Sequence, residues 1–181
     1  LKFGEKHNLK VGTIADLIDY KLSKESTIEN VHTKEVSTEF GEFRLDVWRD
    51  VIFDEHHFSL TKGSPEKADV PMVRVQTQSV LQDTLGIDEI GKKWSIRKSL
   101  QKISDEGTGV FVLINHRDAK TYWLSSLKDE NIEPKRNRRV IGIGSQILRS
   151  LGLSRINVLG TPTKYSGLSG FNIEIEGFID E

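Results

Sequence analysis

The stretch Val73-Arg-Val-Gln-Thr-Gln-Ser-Val-Leu-Gln-Asp-Thr-Leu-Gly86 lies in mid-chain and indicates a strand that runs into a turn. Enzymes of the α/β class place reactive loops after the carboxyl end of such a strand. Here the stretch contains neither cysteine nor histidine, and its only charged residues are Arg74 and Asp83. The pattern therefore predicts a strand that organises the fold, and leaves open whether the turn is a working site.

The residues before this stretch predict antiparallel strands. One strand is expected within residues 31–38, and a second within residues 40–51, where Phe43 and Leu45 alternate with polar side chains. The chain then turns at Asp54-Glu55 and returns as a third strand up to residue 60. Three consecutive strands of this kind form an antiparallel meander.

The residues after the stretch alternate helices with strands. A helix is predicted to begin at Asp88 or Lys92 and to end at Ser104, and a second one to span residues 142–151 and end at Gly152. Residues 110–114 are a continuous apolar run, which is typical of a strand buried on both faces. Further strands are predicted at residues 155–159 and 171–179. The fold class is therefore α+β or α/β, with antiparallel N-terminal strands followed by a mixed sheet with flanking helices.

Residues 1–26 form a separate segment in the sequence pattern. Leu9 and Val11 suggest an extended piece, and Thr13 is expected to cap a helix whose apolar face includes Leu17. The polar residues 23–27 indicate a linker, so we place a boundary near residue 26. The chain begins at Leu1 rather than at methionine, which favours a fragment of a longer protein.

Composition excludes several function classes. A length of 181 residues fits one domain with a short attached element, and a net charge of −1 argues against nucleic-acid binding. No apolar run approaches the roughly 18 residues of a membrane helix, and no signal peptide is visible. The absence of cysteine excludes disulfides, thiolate nucleophiles and thiolate zinc sites. The simplest expectation is a cytoplasmic protein that does not bind a membrane.

Three local motifs invite a functional interpretation. His56 and His57 are adjacent on a predicted strand, so their side chains should point to opposite faces and cannot chelate one metal. His116-Arg117-Asp118 follows a buried strand, where α/β proteins often place active residues, although a lone histidine there is more often a polar loop residue.

The third motif is a basic run followed by two glycines. Residues 135–139 are the densest positive cluster and could hold a phosphate, although such a run beside a helix start is more often a solvated face. Gly142-Ile-Gly144 at the predicted helix start suggests a phosphate cradle only weakly, because the third glycine of a dinucleotide fingerprint is replaced by Ile147.

The order of these segments resembles GTP cyclohydrolase II over about residues 30–180. The most specific segment is Gly142-Ile-Gly-Ser-Gln-Ile-Leu148. The other matching segments are Gly41-Glu-Phe-Arg44, Leu60-Thr-Lys-Gly63, Val73-Arg-Val75, Gly109-Val-Phe-Val-Leu113, Ile156-Asn-Val-Leu159, the loop with Pro162 and Lys164, and Gly167-Leu-Ser-Gly170. Residues 9–20 are similar to the end of 3,4-dihydroxy-2-butanone 4-phosphate synthase. The resemblance implies the C-terminal unit of a fusion of these two riboflavin-pathway enzymes, with the fused synthase as its partner and a homodimer as its assembly.

This chain departs from the family at its catalytic positions. The family binds zinc through three cysteines, but Ser79 stands at the first of these positions and residues 87–93 replace the segment with the other two. Leu113 stands in place of the family's tyrosine, and the arginine-rich glycine loop is lost within residues 115–140. The departures imply that this domain binds no zinc or other cofactor and has no catalytic residues for opening the GTP ring.

Some positions that the family uses around its nucleotide are retained. They are Arg74, Asp83, Arg139, Thr161 and Lys164. The resemblance implies either a weak site for GTP or another phosphate compound, or retention for packing and salt bridges. We therefore predict a catalytically inactive GTP cyclohydrolase II-like domain, residues 27–181, with a structural or regulatory role for the synthase. The alternatives are a nucleotide-binding regulatory module and a metal-independent enzyme that uses His116, Arg117 and Asp118.

Overall fold

The main elements among the residues that the computed structural model describes are seven strands in one sheet and two long α-helices. Those residues are 6–12, 17, 20, 25–78, 80–87, 94–115, 138–162 and 171–180. The strands are β1 (Ile28–Thr38), β2 (Gly41–Asp50), β3 (Glu55–Lys62), β4 (Met72–Thr77), β5 (Gly109–Ile114), β6 (Arg155–Leu159) and β7 (Glu174–Ile179). The helices are α1 (Ile96–Glu106) and α2 (Arg138–Ser150).

The sheet is mixed, in the order β1-β2-β3-β5-β4-β6-β7. Strands β1, β2, β3 and β5 pair in antiparallel fashion, and β5, β4, β6 and β7 pair in parallel. Helix α1 connects β4 to β5 and helix α2 connects β5 to β6, as crossovers between parallel strands. The predicted fold class, an antiparallel N-terminal half joined to a mixed sheet with flanking helices, is confirmed.

Strand β4, which opens the stretch quoted first, lies near the middle of the sheet. Val73 pairs with Val110 of β5 on one side and with Val158 of β6 on the other. The strand ends at Thr77, and one turn of π-helix follows at Val80–Thr84. The prediction of a central strand running into a turn is therefore confirmed.

The helices cover opposite faces of the sheet. Val110 and Val112 of β5 pack in one apolar cluster with Ile147 of α2. Phe111, which points the other way, packs in a second cluster with Ile103 of α1. Because both faces of β5 are covered, its apolar run is buried, as predicted.

Both helix starts differ from the prediction. Ser95 has extended backbone angles and its side chain accepts a hydrogen bond from the Lys98 N–H, so α1 begins at Ile96 and not at Asp88 or Lys92. Helix α2 begins at Arg138, four residues before the predicted start at Gly142. The last strand begins at Glu174, three residues later than predicted.

The end of α2 is as predicted. Gly152 has a φ of +83°, in the left-handed region that favours glycine. Its N–H donates to the Arg149 carbonyl and the Leu153 N–H to the Leu148 carbonyl, at 2.9 and 3.0 Å. These bonds close the last turn and direct the chain into β6.

The N-terminal segment is described only in part. Leu17 and Tyr20 are helical and exposed, whereas Thr13 lies outside the described residues. Thr27 is buried, and its N–H donates to the Gln146 side-chain oxygen of α2 at 2.7 Å. The boundary near residue 26 stays a prediction. No helix in the described part of the chain has both the length and the apolar character needed to cross a membrane.

Candidate functional site

The carboxyl ends of the parallel strands β4, β5 and β6 lie at one edge of the sheet, here called the carboxyl edge. The turn at Val80–Thr84 follows β4, Asn115 follows β5, and Gly160 follows β6. The first turns of α1 and α2 also lie there, since each helix returns from this edge to the other. Open α/β sheets bind ligands at such an edge.

Arg74 connects three parts of the carboxyl edge. Its Nη1 donates to the Leu159 carbonyl at 2.6 Å, its Nη2 to the Trp94 carbonyl at 3.2 Å, and its Nε to the Gln76 side chain at 3.0 Å. The last residue of β6 and the residues before α1 are thereby tied to β4. The contacts that the structure shows for this guanidinium are therefore structural ones.

Asp83 lies in the π-turn and is directed at the start of α1. Its Oδ1 accepts a hydrogen bond from the Ile96 N–H at 3.4 Å. A carboxylate at a helix N-terminus is favoured by the helix dipole and satisfies one of its unpaired N–H groups. Arg74 and Asp83 are thus brought together around Trp94 and Ile96, where both hold the start of α1.

Arg139, in the first turn of α2, is directed at the turn between β2 and β3. Its Nη2 donates to Asp50 Oδ2 at 3.0 Å and to Glu55 Oε2 at 2.5 Å, and its guanidinium lies 3.9 Å from the centroid of the Phe53 ring. Both carboxylates are buried. The expectation that this basic run is a solvated face is wrong for Arg139, because its charge is paired with buried acids.

The remaining predicted residues are less informative. Thr161 is exposed and follows β6 at the carboxyl edge. Lys164 lies outside the described residues, as do Ser79 and the motif at residues 116–118. Arg74 and Asp83 therefore lie near each other at the start of α1, whereas Arg139 contacts the β2–β3 turn. The role of Lys164 stays a prediction.

His57 is a buried residue whose role the sequence did not predict. Its Nδ1 accepts a hydrogen bond from the Asn115 N–H at 3.2 Å, and its Nε2 has no hydrogen-bond partner among the described residues. Burial lowers the pKa of His57, although the nearby Asp50 and Glu55 carboxylates act in the opposite direction. His56 is exposed, so the prediction that the two histidines point to opposite faces is confirmed.

The second glycine of the Gly-Ile-Gly motif, Gly144, has a packing role. Gly142 and Gly144 lie inside α2 and not at its start, so the weak suggestion of a phosphate cradle is wrong. A Cβ added at Gly144 would lie 2.8 Å from Val75 Cγ1. The absence of a side chain there permits α2 to approach β4 closely.

The residues present do not fit the zinc centre that the resemblance implies. The sequence has no cysteine, and the described residues contain no group of three or more histidine or acidic side chains placed to hold a metal ion. Leu113, at the position of the family's tyrosine, packs against the apolar cluster under α1.

The chain matches known proteins over nearly its whole length. The GTP cyclohydrolase II family model matches residues 29–180. Several relatives carry the name 3,4-dihydroxy-2-butanone 4-phosphate synthase. One, from Pseudomonas syringae pv. tomato, is 34% identical over 96% of this chain and 49% of the relative. Another, from Neisseria meningitidis serogroup B, is 36% identical over 98% of this chain and 49% of the relative.

A solved structure also matches nearly the whole of this chain. The crystal structure of a two domain 3,4-dihydroxy-2-butanone 4-phosphate synthase from A. baumannii superposes with a TM-score of 0.69 and 31% identity. The match covers 99% of this chain and 48% of that one. The chain therefore spans about half the length of the relatives that it matches.

Proposed function

This chain belongs to the GTP cyclohydrolase II family, and we propose that it is a member without ring-opening activity that serves a 3,4-dihydroxy-2-butanone 4-phosphate synthase of riboflavin biosynthesis as a structural or regulatory unit. The relatives from Pseudomonas syringae and Neisseria meningitidis bear the name of the synthase alone. Residues 1–26 are then the end of the synthase unit and its linker. We assign no catalytic residue to this domain.

One observation carries the proposal. Arg74, Asp83 and Arg139, which the resemblance puts at or near positions used around the family's nucleotide, each hold together elements of this chain. Arg74 and Asp83 fix the start of α1, and Arg139 fixes the start of α2 to the β2–β3 turn. Because these residues hold the starts of two helices in place, the fold needs them even if the domain binds no substrate.

The chemistry of the missing groups supports the same conclusion. A hydrolytic zinc site needs three protein ligands and an open position for the water that the ion activates. Serine hydroxyls are neutral and bind zinc poorly compared with thiolates. A chain without cysteine cannot supply the ligand set of the family.

The synthase activity and oligomeric state of the longer protein, with and without residues 27–181, test the proposal. We expect removal of the domain to lower synthase activity, or to change the molar mass measured by light scattering from that of the homodimer. A truncated protein that matches the intact one in both measurements would contradict the structural or regulatory role.

A nucleotide-binding regulatory module is the second candidate. The observation that favours it is the exposed Thr161, which follows β6 at the carboxyl edge, since open α/β sheets bind ligands at this edge. Titration calorimetry with GTP separates the two candidates. Saturable binding that Lys164→Ala abolishes would favour the regulatory module, and no heat of binding would favour a structural unit.

Other predictions remain at the level of proposals. A metal-independent enzyme would depend on His116, Arg117 and Asp118, which lie outside the described residues. A cytoplasmic location is proposed from the composition, and a homodimer from the resemblance alone.

A further inference from the structure

The turn between β2 and β3 exposes three consecutive apolar side chains. Val51, Ile52 and Phe53 are 43%, 61% and 44% exposed. We call residues 51–54 the β2–β3 tip. Single exposed apolar residues are common on protein surfaces, but contiguous ones often mark an interaction site.

The backbone of the β2–β3 tip is held by the buried side chain that precedes it. Asp50 Oδ1 accepts hydrogen bonds from the N–H groups of Ile52 and Phe53 at 2.9 and 3.3 Å. The Asp54 N–H donates to the Asp50 carbonyl at 2.8 Å, and Asp54 has a φ of +53°. A side-chain acceptor for two successive N–H groups fixes such a turn in one conformation.

A second set of contacts fixes the β2–β3 tip to the rest of the domain. The Arg139 guanidinium lies over the Phe53 ring and bonds to Asp50 and Glu55, so that the first turn of α2 is attached to the tip. On the outer side, Arg49 Nε donates to Asp54 Oδ1 at 2.8 Å. The apolar side chains are therefore presented on a rigid base, which lowers the entropy lost when a partner binds.

We propose that the β2–β3 tip is the surface on which the preceding synthase unit docks, an inference that rests on the proposed function. The Val51 N–H donates to the Thr27 carbonyl at 2.9 Å. The segment that joins the two units therefore enters the domain directly beside the β2–β3 tip. Leu9, Val11 and Leu17 of that segment are also exposed.

The size of the patch favours a linked partner over a free one. A stable complex of separate proteins typically buries roughly 1,200–2,000 Å², far more than three partly exposed side chains offer. A linked unit needs less area, because the linker holds it at a high effective concentration. The occupant that fits this surface is thus the unit to which residues 1–26 belong, with apolar side chains facing Ile52 and Phe53.

Tryptic cleavage of the linker in the longer protein, synthase unit included, tests the docking. Ile52→Asp should raise the rate of cleavage at Lys21 or Lys24 at least about tenfold, because the linker is exposed when the units separate. Ile52→Lys should act alike, since either charge removes the apolar contact. The matched control is Leu85→Asp, at a side chain that is 62% exposed on the π-turn, and it should stay within about twofold of the parent.

Folding of the variants is checked on the 181-residue chain, where Ile52→Asp should leave the thermal midpoint unchanged because the side chain is mostly exposed. Equal cleavage rates for the Ile52 variants, Leu85→Asp and the parent would overturn the docking. So would light scattering in which the 181-residue chain is a dimer that Ile52→Asp converts to a monomer, since the β2–β3 tip would then contact a second copy. A third outcome is that removal of residues 27–181 changes synthase activity or molar mass while the Ile52 variants are cleaved at the parent's rate. That result would contradict the docking and support the proposed function.

Discussion

Arg74 and Arg139 hold distant elements of the fold together. Each guanidinium contacts two or more elements that are distant in sequence, and each is partly buried. Hydrogen bonds from a charged donor contribute more to the free energy of unfolding than hydrogen bonds between neutral groups. Replacing either residue should therefore affect folding before it affects any binding.

Arg74→Met tests this for the first of the two. The substitution leaves the Leu159 and Trp94 carbonyls without their donor, and should lower the free energy of unfolding by about 2–3 kcal/mol in urea titrations. Arg155→Met, which removes a side chain paired only with surface acids, provides the control and should change the midpoint little. An Arg74→Met variant as stable as the parent would show that Arg74 is not a structural residue.

His57 should make the stability of the domain depend on pH. Burial lowers its pKa below the unfolded value of about 6.5, so the unfolded chain binds a proton that the folded chain does not. The free energy of unfolding should therefore fall as the pH drops below 6.5 and stop falling once the pH reaches the folded pKa.

Urea titrations between pH 5 and 8 check this dependence. His57→Asn, whose Oδ1 can still accept from the Asn115 N–H, should show a smaller slope in this range. His56→Asn, at the exposed neighbouring position, should keep the slope of the parent. A His57→Asn variant with the parent's slope would assign the dependence to other groups.

At the scale of elements, the contact between α2 and β4 depends on Gly144. Alanine is favoured over glycine inside a helix by about 1 kcal/mol, but its Cβ would lie 2.8 Å from Val75 Cγ1. Overpacking of this kind costs about 1–3 kcal/mol. Gly144→Ala should thus destabilise the domain in urea, and the loss should shrink in a Val75→Ala background. A stabilising Gly144→Ala would show that the helix is not held close by this contact.

Alternation and apolar runs predict most of the sheet. The strand at residues 110–114 and the meander before it could be predicted because each segment shows its own local hydrophobic pattern. Strand β2 shows the limit of the method: Asp46 is buried because it accepts hydrogen bonds from Asn30, Thr33 and Arg44, and only the folded sheet brings these together. The helix starts were missed because caps and basic runs are weak local signals.

The candidate site was harder to predict than the fold. Arg139 and Asp50 are 89 residues apart in sequence, and Arg74 and Leu159 are 85 apart. No local pattern links such partners, so the resemblance identified the arginines but not their contacts. Nothing in the sequence indicated that Asp50, Glu55 and His57 are buried close together. The sequence predicted only that His56 and His57 point to opposite faces of a strand.

At the scale of the whole molecule, the domain keeps the fold of its family and spans about half the length of its relatives. The carboxyl edge, where an α/β sheet binds its ligand, is braced by Arg74, Asp83 and Arg139. One of these three residues, Arg139, also holds the β2–β3 tip through Asp50 and Phe53. Arg139 thus connects the carboxyl edge to the surface proposed for docking.

Formate release from GTP is the measurement that tests the central claim most directly. Ring opening by the family's chemistry releases formate, so the purified protein is assayed with GTP and added zinc, beside a family member that retains the three cysteines. We predict no formate above the blank for this chain, because the ligand set for zinc is missing. Zinc-dependent formate release that continues over several turnovers would contradict the account.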